Sequence, residues 1–150
     1  MLKFNLPCKK YVKHYLENCF GSPSYIRKGS HIGKYFFHLL EDAPEREDKE
    51  NMYDYDSICT IEITEDVFLR NGYVLSKTGI RLFNTFVEDQ FKTQIRTIIE
   101  TMVEFQGQQI NKAIDCVYDK FDMDETIMPH ETIRKDYQRY RKDLEALKTK

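Results

Sequence analysis

Four histidines, four cysteines, paired acids and paired tyrosines are the residues here whose types and spacing bear on chemistry. His31 and His38 are seven residues apart. On a helix they share a face but lie about 10 Å apart, at a rise of about 1.5 Å per residue. One metal ion needs ligands on successive turns, so this spacing does not hold one. His38 and Glu41 lack an evident third ligand, and the four histidines read as surface or satisfied side chains. Asp122-x-Asp124-x-Thr126 begins like a calcium loop. Ile127 then stands where the sharp turn needs Gly, and Ile133 where a bidentate Glu is needed. Asp54 and Asp56 pair two carboxylates beside no base. Nucleophile-elbow, phosphate-loop and dinucleotide patterns are all missing from the sequence. The expectation is no catalytic residue, no metal and no cofactor.

Tyr11-x-x-x-Tyr15 resembles the paired tyrosines of strand-nicking enzymes. That resemblance implies a metal-holding histidine pair around an apolar residue, and no such triplet is present. Tyr15 is therefore expected to pack inward and Tyr11 to cover the edge. Cys8, Cys19, Cys59 and Cys116 form no CxxC pair. With no long apolar core in the first residues, they read as reduced thiols of a cytoplasmic protein.

The chain has 150 residues, of which 41% are hydrophobic, 13% aromatic and 32% charged, enough for one packed domain over 1–150 with a solvated surface. No apolar run approaches the roughly 18–20 residues that span a bilayer. The net charge of −2 hides an asymmetry: residues 1–40 hold seven Lys/Arg and one acid, and residues 41–70 hold three Lys/Arg and eleven acids. Such a contrast describes either a self-pairing dipolar surface or an anion-binding face.

The elements that must position these residues follow from periodicity. Residues 2–6 alternate like a short strand, and Pro7 suits the first turn of a helix. Apolar residues recur at helical spacing over 8–20, and Gly21 stops that helix. Residues 25–27 read as a strand, and Ser30 caps a helix over 31–41 that Gly33 weakens. Residues 41–57 read as a solvated acidic loop. Residues 58–64 are the clearest strand, followed by a short helix over 65–70 closed by Asn71-Gly72. The longest helix starts at Ser76 or Thr78 and runs to about 106. Its stripe is Phe83, Val87, Phe91, Ile95, Ile98, Met102 and Phe105. It is expected to be the central core helix, or alternatively the seam of a homodimer over 77–106. Helices over 108–121 and 130–147 follow, joined by a connector at 122–129. In the last helix Ile133, Tyr137, Tyr140, Leu144 and Leu147 point inward. The fold class is α+β, mainly α, with a two- or three-stranded sheet and five to six helices around the long one.

Lys112-Ala113-Ile114-Asp115-Cys116-Val117-Tyr118 through Met123, followed by Glu131-Thr132-Ile133-Arg134-Lys135-Asp136-Tyr137-Gln138-Arg139-Tyr140, resembles a helix-turn-helix over 108–148. The resemblance implies that Ala113 eases close helix packing and that the last helix offers its outer face to the major groove. That face is expected to carry Arg134, Lys135, Gln138, Arg139, Arg141 and Lys142. Arg and Gln match guanine and adenine edges, and Lys matches phosphates. Lys9, Lys10 and Lys13 add phosphate contacts where they lie beside it. The connector exceeds the usual 3–4 residue turn. The whole chain also resembles small proteins of gut-bacterial genomes and mobile elements, which implies no particular activity. Two functions follow as expectations. One is a non-catalytic DNA-binding or regulatory protein that takes double-stranded DNA. The other is a protein-interaction module using helix 77–106 or the acidic loop, with that loop as an internal phosphate mimic.

Overall fold

A computed structural model describes residues 1–41, 55–72 and 74–148. The acidic loop expected at 41–57 lies almost wholly outside the described residues. The chain divides into two compact units, Met1–Asp89 and Gln90–Lys150. The fold is α+β and mainly α, as the periodicities require.

The first unit holds a three-stranded sheet in the order β1-β3-β2, with β1 Leu2–Cys8, β2 Ser24–Tyr25 and β3 Ser57–Ile63. β1 pairs antiparallel with β3, placing Phe4 opposite Ile61 and Leu6 opposite Cys59, while β2 runs parallel to β3. Leu6, Cys8, Cys59, Ile61 and Ile63 are buried on one face. On the other, Lys3 pairs with Glu62 at 3.7 Å and Thr60 donates to Asn5 at 3.3 Å. This alternation is what a half-buried antiparallel sheet demands.

Pro7 departs from the expectation. It lies inside β1 rather than in the first helical turn, and the helix begins later, as α1 Lys10–Phe20. Among the described residues β1 is an edge strand, where a residue without an N–H is tolerated. The Pro7 carbonyl accepts from Asn84 Nδ2 at 3.0 Å.

α2 spans His31–Leu39, with Ser30 Oγ accepting from the Gly33 amide as its N-cap. Ser30 Oγ also donates to the Arg27 carbonyl at 2.8 Å. A Cβ on Gly33 would stand 2.0 Å from that carbonyl oxygen, so the glycine serves close approach, not helix propensity. α3 spans Glu65–Asn71 and ends at Gly72, whose φ is +101°.

α4 spans Lys77–Glu100 and continues as a π-helical turn, Thr101–Phe105. Ser76 Oγ caps its start by accepting from the Gly79 amide at 3.0 Å. In the first unit its Phe83 ring meets Phe36 edge-on at 5.0 Å, and Phe36 in turn meets Phe4. In the second unit Phe91 meets Phe121 edge-on at 5.0 Å. Phe83, Val87, Phe91, Ile95 and Ile99 are all buried. The expected stripe therefore fills core as far as Ile95; beyond it Ile99 is buried instead of Ile98, Ile98 and Met102 are half-buried, and Phe105 is 79% exposed.

The second unit adds α5 Ile110–Phe121 and α6 His130–Lys148. Ala113, Ile114, Val117 and Phe121 of α5 are buried with Ile133 and Tyr137 of α6. Leu147, expected inward, is 67% exposed. Among the described residues no helix is long and apolar enough to cross a membrane. All four cysteines are free thiols.

Candidate nucleic-acid interface

The connector that sets α6 against α5 is pinned by its own side chains. Asp122 ends α5 in the left-handed region, with φ +47° and its amide bonded back to the last turn. Asp124 Oδ1 accepts from the Thr126 amide at 2.9 Å and from the Thr126 hydroxyl, an Asx-type turn. Tyr118 donates its hydroxyl to the Met128 carbonyl at 2.7 Å. Met123 and Met128 are buried beneath the turn. The connector is thus longer than a standard helix-turn-helix turn but built as an ordered cap. Oδ1 of Asp124, a member of the calcium-like pattern, is thus bonded within the turn to Thr126.

Three sets of polar partners then fix the rotation of α6. Arg96 on α4 grips Asp136 with Nε at 2.9 Å and Nη2 at 2.8 Å, a bidentate pair. Its guanidinium also lies 5.6 Å over the Tyr140 ring. Glu104 takes both the Tyr137 hydroxyl at 3.3 Å and Arg141 Nε at 3.4 Å. Burial, and next the Glu104 charge, push the Tyr137 hydroxyl up to about 12. Arg134 Nη2 donates to Asn111 Oδ1 at 2.6 Å, while Nη1 pairs with Glu131 at 3.5 Å.

These partners divide the expected site residues in two. Arg134 and Arg141 are half-buried and held by groups of their own unit, so neither belongs to the outer face. Lys135, Gln138, Arg139 and Lys142 are exposed. Their spacing of three, four and seven residues from Lys135 puts them on one face of α6. The groups that hold Arg134 and Arg141 do not reach them.

In the first unit, Lys9 is committed to Glu88 at 3.4 Å and lies over the Tyr11 ring. Lys13 pairs with Glu17 at 3.9 Å, and only Lys10 of the three expected lysines is exposed outright. Tyr15 is buried as expected. The Tyr11 hydroxyl is pushed up by its burial and by the bond to Glu88. That is a structural tyrosine, not an activated one.

What the sequence does not signal is the set of holders. Asn111, Glu104 and Arg96 lie on other helical segments and carry no local pattern that ties them to α6. A further exposed basic group, Arg27, Lys28 and Lys34 around the start of α2, is also missed by periodicity. Lys28 and Arg70 there help the Thr64 hydroxyl to lower the Asp66 carboxyl.

No family model, curated protein or solved structure matches this chain.

Proposed function

We propose that the chain is a small, non-catalytic DNA-binding or regulatory protein of the cytoplasm that docks double-stranded DNA with the outer face of α6. One observation carries this reading: Lys135, Gln138, Arg139 and Lys142 form a single exposed face on a helix whose rotation is fixed by the grips on Asp136, Tyr137, Arg141 and Arg134. A rigid helix with cations and an amide on one side suits phosphates and base edges alike. The packed α5–connector–α6 segment supports the helix-turn-helix likeness, in a variant with an eight-residue connector, 122–129.

Fluorescence anisotropy on a mixed-sequence duplex tests it. Lys135→Glu with Arg139→Glu is expected to remove binding while leaving thermal unfolding unchanged. A wild-type chain that shows no binding at low salt would sink the reading.

The second reading is a protein-interaction module, including a homodimer through helix 77–106. The exposed Phe105 at the end of that helix favours it. Phe105→Ser would then abolish self-association in light scattering.

A further inference from the structure

The apolar stripe of α6 runs through Ile133, Tyr137, Tyr140, Leu144 and Leu147 in steps of four and three. This is heptad spacing. Ile133 and Tyr137 are buried in the core of the second unit. Tyr140 is half-buried under Arg96, Leu144 is half-exposed, and Leu147 is open to solvent. One apolar seam thus fills the core over its first two turns and then runs on beyond it.

The charges beside the seam are ordered. Asp136 and Asp143 occupy the position before each of Tyr137 and Leu144, and Arg141 and Lys148 the position after each of Tyr140 and Leu147. Asp136 and Arg141 are used inside the unit by Arg96 and Glu104. Asp143 and Lys148 are both exposed. If two such helices pair parallel and in register, Asp143 faces the partner's Lys148, twice over by symmetry. An antiparallel pair would instead set acid against acid and base against base.

We infer that α6 pairs with a second copy of itself, parallel and in register, through Leu144 and Leu147, with Asp143 and Lys148 crossing the seam. The pairing goes beyond the DNA reading and stands without it. The seam is short, so the association is weak and concentration-dependent. The crossing ion pairs set direction more than strength. With the pairing in place, the basic faces of the two copies lie just N-terminal to a shared seam. Two copies then address two half-sites instead of one.

Cysteine cross-linking of the full chain tests this without DNA. Leu147→Cys is placed in a Cys19→Ser background, because Cys19 is the exposed native thiol. On mild oxidation at about 1 mM chain, a concentration suited to weak pairs, it is expected to give a disulfide-linked species of twice the 18.0 kDa chain mass. The yield should stand several-fold above that of Gln138→Cys, which lies on the other face. Adding Asp143→Lys should lower the yield, and adding Lys148→Asp as well should restore it. Yields for Leu147→Cys no higher than for Gln138→Cys would overturn the pairing. Yields indifferent to both charge changes would overturn its parallel register. Either failure leaves duplex binding by a single copy untouched, and a chain that cross-links but ignores DNA refutes only the DNA reading.

Discussion

Arg134→Ala and Lys135→Ala remove the same charge from neighbouring positions, yet the structure gives them opposite consequences. Arg134 donates to Asn111 at 2.6 Å and pairs with Glu131 at 3.5 Å, with its side chain 32% exposed. A hydrogen bond to a charged group contributes about 1.5–3 kcal/mol, and partial exposure reduces this to about 1 kcal/mol. At this chain length about 1 kcal/mol lowers Tm by about 2–4 °C. Lys135 is exposed, so its removal should stay within about 0.5 kcal/mol. On DNA the order reverses. Without the phosphate neutralised by Lys135, the slope of log affinity against log salt flattens by about 0.9, while removing Arg134 leaves the slope in place. Circular-dichroism melting and anisotropy titrations at several salt concentrations read both effects. The reasoning fails if Arg134→Ala flattens the salt slope as Lys135→Ala does while leaving Tm unchanged.

Three more predictions concern the frame. Gly33→Ala drives a Cβ onto the Arg27 carbonyl, where the gap is 2.0 Å. Denaturant unfolding should record a loss of about 1–3 kcal/mol, as for other overpacked sites. Asp122→Gly relieves the left-handed residue that ends α5, at φ +47°, and should raise stability by about 0.5–1 kcal/mol in the same assay. Burial, with Cys59 next in importance, raises the Cys8 thiol from 9.0 to about 12, so the folded state holds that proton more tightly than the unfolded state. That contribution is complete below about pH 9 and is lost as pH climbs towards about 12. Stability measured across that window should fall less steeply in Cys8→Ala than in the wild type.

Much of the frame is legible in the residues themselves. Ser30 and Gly21 mark their helix ends because cap chemistry is local, and the stripe from Phe83 to Ile95 reports a buried face because helical period is local too. Pro7 misleads, since a missing N–H suits a helix start and an edge strand equally, and only pairing with β3 decides between them. Phe105 and Leu147 keep the phase of their stripes but lie where the packing partners have ended, which periodicity does not encode. The six basic or amide residues of α6 expected on its outer face look alike in sequence. Arg134 and Arg141 turn inward because Asn111 and Glu104 wait on other helical segments, and those are tertiary facts. Removing those two narrows the candidate face to Lys135, Gln138, Arg139 and Lys142. It also makes Lys135 and Arg139, both exposed, the informative positions for charge reversal.

The salt dependence of duplex binding tests the central claim most directly, with the wild type compared against Lys135→Ala/Arg139→Ala/Lys142→Ala. Three fewer neutralised phosphates should flatten the slope by about 2.7, equivalent to about 40-fold in relative affinity over a fourfold change in salt. An equal slope in the two proteins, or a wild type that ignores duplex DNA at low salt, would contradict a DNA-docking role for this face of α6.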